Sequence, residues 1–410
     1  MHRPVEQTTS EPANTTLPTV FSPLTFTREL LLEPNGWIPV TANIRAVELG
    51  LAGPTEILVS EANAGLLTLI SDCDVLCVAT DIPLEALTVP VRPAVADMDG
   101  DGDGDIVLAD IGFLFPTNEL TGQVQILYND GGSFTTEVIY SGVGRVVCAE
   151  PGDLDGDGDL DLAICVFGHQ SGTFGWLERE GSMWIPHSID SVPGAIHAWP
   201  VDVDGDDDLD LLAILSQHSE EVVLYRGDGA GGFSKEILFK SPDTYFGMSG
   251  LEPVDLDLDG DLDLLVTHGD TLDLDLPAEV DPDRYYGLMW FEGDGTGAFE
   301  RHEIADAWGA YSAKASDMDL DGDLDIVLAA LQGPAMYPQL PLRPLRWFEN
   351  DGSENFTEYD IEVSPEQLIT LEIADVDGDG DTDILAGSFE INNTGDTERL
   401  TLLRNQLIHN

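Results

Sequence analysis

Asp153-Leu154-Asp155-Gly156-Asp157-Gly158-Asp159-Leu160-Asp161, followed directly by the apolar run Leu162-Ala163-Ile164-Cys165-Val166-Phe167, is the stretch from which the fold can be read. Its carboxylates recur at every second position, and Gly158 at position 6 permits a sharp backbone reversal. Several acidic oxygens brought to one point suit a hard cation, and calcium is the expected ion. An EF-hand opens in the same way but needs a Glu at position 12 and a helix on either side. Here position 12 is Ile164 and the flanks are strand-like, so the loop reads as the tip of a β-hairpin.

The same register returns five more times. The expected metal ligands are therefore Asp97, Asp99, Asp101, Asp103 and Asp105 in the first loop and Asp153, Asp155, Asp157, Asp159 and Asp161 in the second. The third supplies Asp202, Asp204, Asp206, Asp208 and Asp210, with Asp207 where the others have Gly. Asp255, Asp257, Asp259, Asp261 and Asp263 form the fourth. Asp317, Asp319, Asp321, Asp323 and Asp325 form the fifth, and Asp375, Asp377, Asp379, Asp381 and Asp383 the sixth. Residues 47–59 align without a gap with 254–266 and keep Gly53 at position 6, but carry Gly50 and Ala52 at positions 3 and 5. This is a seventh copy that keeps the hairpin and has lost the metal.

The copies start at 48, 97, 153, 202, 255, 317 and 375, a spacing of 49 to 62 residues. A unit of about 50 residues with four strands is the size of one propeller blade. The third strand of a unit carries an aromatic (Trp176, Tyr225, Trp290, Trp347), a Gly/Asp/Asn turn follows, and the fourth strand opens on Phe134, Trp184, Phe233, Phe299 or Phe356. The last unit runs out after its third strand, and the missing fourth-strand pattern stands at the other terminus, from Phe26 to Leu31. The reading is an all-β, seven-bladed β-propeller of four-stranded antiparallel blades, spanning 25–410 and closed by its N-terminal strand. Residues 1–24, rich in Thr, Pro, Ser and Glu, read as a disordered leader or linker.

On these loops and on the Trp347-Phe348-Glu349-Asn350-Asp351-Gly352 turn, the chain resembles the VCBS and FG-GAP repeat proteins, the integrin-α-like calcium-binding propellers. The resemblance covers about residues 26–410 and implies about six bound Ca2+ ions. It implies a scaffold that serves as lectin, adhesion head, polysaccharide lyase or spacer, and so does not by itself assign a function.

Composition narrows the partners. With 78 acidic against 16 basic residues the formal charge is -62, and six calcium ions would leave -50. Such a surface repels nucleic acid and anionic membranes. No apolar run approaches the roughly 20 residues that cross a bilayer, and Met1 to Ser10 lacks the apolar core of a signal peptide. The chain is expected as a mature or excised form of an extracellular or periplasmic protein, acting as a monomer. Cys148 and Cys165 flank the second loop symmetrically and are read as either a bridge or two buried thiols. Cys73 and Cys77 are too far apart to bridge if both lie on one strand.

The residues five and three positions before each loop gather at one channel mouth, on the rim opposite the calcium loops. They include Arg45, Arg92, His197, Trp199 and Lys314, and with His218 and His268 nearby these are the candidate ligand-binding residues. One reading is a pocket for an anionic or hydroxyl-rich ligand with Trp199 as a stacking wall. The other is that the same cations neutralise Glu150, Glu252 and Glu372. No spacing for a nucleophile, phosphate loop or zinc site is present. The expected function is a non-catalytic binding or scaffold module for a carbohydrate or protein ligand. The alternative is a polysaccharide lyase using a His base on uronate-containing glycans. Arg226-Gly227-Asp228 spells an adhesion tripeptide but reads as turn chemistry.

Overall fold

The computed structural model describes residues 22–407 except 52–54, 74–75, 85–88, 116, 169–170, 218, 244, 271–285, 333–341, 362–366 and 391–396. Twenty-eight strands, numbered β1 to β28 in chain order, form seven four-stranded antiparallel sheets. The innermost strands are β2 (Thr41–Val47), β6 (Pro90–Ala96), β10 (Arg145–Gly152), β14 (Ala195–Val201), β18 (Met248–Val254), β22 (Ala310–Ser316) and β26 (Leu368–Ala374). Each contacts the next around the circle, and β26 meets β2, so the seven blades close into a ring.

Closure uses the strand that the sequence assigned to it. β1 (Phe26–Leu32) pairs antiparallel with β28 (Leu400–Asn405), from Phe26 against Asn405 to Leu32 against Leu400, and completes the sheet of β26 and β27 (Asp383–Ser388). The packed chain begins earlier than Phe26: Leu24, placed in the leader by composition, is buried with Met318, Trp347 and Leu403.

Blades stack face to face, so their middle strands are covered on both sides. The second strands β7 (Asp105–Asp110) and β23 (Asp325–Ala330) are buried along their whole length, whereas the outermost β9 (Ser133–Val143) alternates between exposed and half-buried. This is why the former read as unbroken apolar runs. Seven apolar clusters fill the seven spaces between neighbouring blades. Trp347, Phe348, Phe291, Phe174 and Tyr225, all but fully buried, supply much of their volume; each such side chain contributes on the order of 2–3 kcal/mol of burial.

All four cysteines are paired. Cys148 and Cys165 lie opposite each other on β10 and β11 (Asp161–Phe167) and are bridged. Cys73 and Cys77 are bridged too, against the one-strand reading. They lie in the turn between β4 (Leu66–Ser71) and β5 (Val78–Ile82), which brings their Cα atoms to 4.0 Å.

Candidate metal rim and channel-mouth site

Each acidic loop joins the innermost strand of a blade to its second strand, and the ninth residue is the first residue of that second strand. The carboxylate at position 1 folds the loop around itself: Asp97 accepts from the N–H groups of Gly100, Asp101 and Gly102 at 2.8, 3.0 and 3.0 Å. Position 3 accepts from the amide of position 5, and position 5 from that of position 7, as in Asp155 to Asp157 and Asp157 to Asp159. Two backbone positions are left-handed, not one. Gly158 at position 6 has φ 96°, and Gly156 at position 4 has φ 75°. At those places Asp207, Leu258 and Leu320 also adopt positive φ, a conformation that costs an L-residue about 1–2 kcal/mol.

In the first, third, fourth and fifth loops one oxygen from each of positions 1, 3 and 5 lies within 4.8 Å of the others; in the second, Asp153, Asp155 and Asp161 do so. Two oxygens on opposite sides of a calcium ion, each about 2.4 Å away, stand about 4.8 Å apart. Oδ1 of Asp159, Asp204, Asp255 and Asp377 is buried without a hydrogen-bond partner. Hard, convergent donors with unused lone pairs fit a divalent cation of this size.

The ninth carboxylate has a further task that spacing did not reveal. Asp161 Oδ2 accepts from Leu154 N at 3.0 Å and Oδ1 from Arg179 N at 2.9 Å, tying the loop to the third strand. Asp105, Asp210, Asp263, Asp325 and Asp383 repeat the pair of bonds. In the copy without the acidic cage, Glu56 keeps the first of them, to Leu49 N at 2.9 Å. Burial pushes these carboxyls up, Asp161 to about 6 and Asp325 and Asp383 to about 7, and neighbouring loop carboxylates add to the rise. The seventh positions reach sideways instead, Asp103 accepting from Gly131 N and Asp381 from Leu407 N, both at 3.1 Å.

On the opposite rim every innermost strand carries a register irregularity against its second strand, between Thr41 and Asn43 in the first blade and at the matching place in the other six. The extra residue turns the side chains beyond it toward the channel. Asn43, Arg45, Arg92, His197, Trp199, Ser312, Lys314, Thr370 and Glu372 thereby line one cavity of about 370 Å³ at the channel mouth. Cys148 is taken out of this set by its disulfide.

Three of the cations there are paired with carboxylates. Arg45 Nη1 lies 3.0 Å and Arg92 Nε 2.7 Å from the two oxygens of Glu150, and Lys314 Nζ lies 2.8 Å from Glu252 and 3.8 Å from Glu372. Against the burial that would lower it, those two glutamates hold the Lys314 ammonium above its usual range. Both guanidinium groups stand over the Trp199 ring, 5.5 and 5.2 Å from its centroid. Trp199 Nε1 donates to Leu251 O at 2.9 Å.

His197 is locked between Arg92, 2.6 Å from Nδ1, and Ser249 O, 3.0 Å from Nε2. Burial, with the Arg92 charge behind it, pushes its pKa down to about 3. The ring is therefore neutral, with Nε2 donating and Nδ1 accepting. His268 does not reach the cavity. Thr267 faces that way, so strand alternation turns His268 to the other face, where it is buried and stacks on Phe246 at 3.9 Å. His218 lies outside the described residues, as do most of the long second-to-third connections after Gly269 and Gln332. Glu220, which the sequence did not single out, joins the lining; burial raises its pKa to about 7 although it accepts from Met248 N at 2.8 Å.

The FG-GAP-like repeat family matches residues 97–164 and 202–266, the segments that carry the first four acidic loops. The chain is a seven-bladed β-propeller that carries FG-GAP-like repeats over those segments. Among curated proteins no sequence matches it. Solved structures with a similar arrangement include the alpha-L-arabinofuranosidase Arb93A from Fusarium graminearum, at 11% identity over 77% of this chain and 93% of that one, TM-score 0.46. An arginine-to-alanine mutant of AofleA from Arthrobotrys oligospora is 13% identical over 82% and 91%, TM-score 0.44. A Penicillium chrysogenum alpha-L-arabinanase complexed with arabinobiose is 11% identical over 77% and 93%, TM-score 0.45.

Proposed function

We propose that this protein is a calcium-binding, extracytoplasmic propeller acting as a non-catalytic binding module, with a neutral, hydroxyl-rich ligand of the carbohydrate class at the channel mouth. The observation that carries this reading is the pairing of the three cations around Trp199 and the strand beside it. Arg45, Arg92 and Lys314 are each engaged by Glu150, Glu252 or Glu372, so none of the three is a surplus cation that could hold an anion. What such a wall offers is donors and acceptors side by side around an indole, and a sugar hydroxyl both donates and accepts. A lyase needs a free base, whereas both nitrogens of His197 are taken and its proton affinity is low. Two disulfides support an oxidising compartment, where calcium is also plentiful enough to fill extracellular-type sites.

The test is titration calorimetry of the calcium-loaded protein against neutral and uronate-containing polysaccharides, with absorbance followed in the unsaturated-uronate band. Binding of neutral glycans, weakened by Trp199→Ala and without absorbance change, is expected. A rise in absorbance that a His197→Gln variant abolishes would replace the binding module with the lyase. Excess chelator addresses the metal separately, since loss of calcium should lower the melting temperature.

A further inference from the structure

Strand pairing sets one third-strand residue beside each acidic loop. It comes directly after the partner of the first residue beyond the loop, as Tyr225 pairs with Leu211 and Leu403 with Ile384, which places Arg226 and Arg404. In the fourth blade, Arg226 Nη1 lies 2.7 Å from Asp204 Oδ2; in the seventh, Arg404 Nη1 lies 2.7 Å from Asp377 Oδ2. Both aspartates are the third residue of their loop. Each arginine repeats two further contacts. Nε meets a glutamate of the outermost strand, Glu236 at 2.9 Å or Glu29 at 3.0 Å. Nη2 donates to a carbonyl in the next blade's outer turn, Gly297 at 2.9 Å or Cys73 at 3.1 Å.

In the third, fifth and sixth blades the same place holds a glutamate turned to its own outer strand: Glu178 toward His187 at 2.6 Å, Glu292 toward His302 at 2.8 Å, and Glu349 toward Tyr359 at 3.0 Å. No guanidinium neutralises those cages from this position. In both arginine-bearing loops the clamped aspartate keeps Oδ1 buried and without a hydrogen-bond partner, so one ligand oxygen is still available to a cation.

We propose that the propeller has two classes of calcium site. The clamped loops of the fourth and seventh blades bind weakly and hold their shape without the ion; the four loops with no arginine at that place, in the third, fifth and sixth blades and in the second, where it is Tyr128, bind tightly and depend on it. The proposal rests on the calcium reading above. A fixed positive charge beside a cage for a doubly charged ion repels it, and one oxygen of the third carboxylate is already committed. The expected penalty in affinity is on the order of 10-fold to 100-fold.

The experiment is a calcium titration by calorimetry on the full chain stripped with chelator, beside thermal melts in excess chelator. Wild-type protein should fill a tight class before a weaker one that contains two sites. In Arg226→Gln/Arg404→Gln those two sites should tighten by at least about 10-fold, while the chelated protein melts at a lower temperature than wild type. These opposite changes separate a charge effect from simple loss of structure. If the double variant does not fold, each single variant is read in the same way, one site at a time. Arg226→Lys, which keeps the charge, should leave its site in the weak class. An isotherm unchanged or uniformly weakened by the glutamine substitutions overturns the two-class proposal and leaves the calcium reading intact. Absence of any calcium binding overturns both.

Discussion

Both oxygens of Asp161 already accept backbone N–H groups, one in its own loop and one in the third strand, before any cation is considered. Asp161→Asn would set an amide N–H2 against a backbone N–H and is expected to cost about 1–3 kcal/mol, measurable as a denaturant midpoint shift in excess chelator. Glu56→Ala, which removes the acceptor for Leu49 N, should move in the same direction, although its loop has no acidic cage. Asp157→Asn keeps an acceptor for Asp159 N and should matter only when calcium is present. A chelated Asp161→Asn protein as stable as wild type would remove the pinning role. The cavity makes a separate, pH-dependent prediction. Glu220 is raised from the ordinary 4.5 to about 7, so its contribution to stability is complete below pH 4.5 and is lost as pH rises through 7. His197 is lowered from 6.5 to about 3, so its contribution is complete above 6.5 and is lost as pH falls toward 3. The melting temperature of Glu220→Gln relative to wild type should therefore climb between pH 4.5 and 7, whatever its constant offset; a flat difference would contradict the assignment. The cage aspartates were legible because their spacing is local. Glu220 and Arg226 were not, because their surroundings are assembled by strand pairing.

At the scale of elements, six blades could be counted in the sequence because their loops combine Asp at alternate positions with Gly at a left-handed one, a pattern no ordinary turn repeats, and the seventh from the gapless match of residues 47–59 to 254–266. The bulge in every innermost strand left no such mark. It falls at residues as different as Ala42, Val91, Ile196 and Ile369, yet it aims Asn43, Arg92, His197 and Thr370 into the channel. The Cys73–Cys77 bridge escaped for a related reason: strand alternation was applied to a segment that is a turn. Closure by β1 leads to a deletion experiment. Removing residues 22–32 should expose the edge of β28, lower the melting temperature and promote self-association through the bared strand, which sedimentation would detect. A truncated protein that stays monomeric and equally stable would show that the ring does not need this strand.

Over the whole molecule the formal charge is -62, and 31 of the aspartates sit inside the six loops. Without calcium the rim that carries them is held together against its own repulsion, which salt screens only at the surface. Excess chelator is expected to lower the melting temperature by about 10 °C. Added sodium chloride should recover part of that loss in the chelated protein and change the calcium-loaded one little. Equal salt responses in the two states would separate the rim from the stability of the ring.

The pairing of β1 with β28 also fixes how the ring would yield to a pulling force. Phe26 and Asn405, the outermost paired residues of β1 and β28, are directly opposed at one end of the same ladder. Tension applied through those two residues would load the hydrogen bonds one after another, as a zip is opened, rather than all together in shear. Carried between two tethers, this propeller would part first at its seam, while the other six blades were still intact.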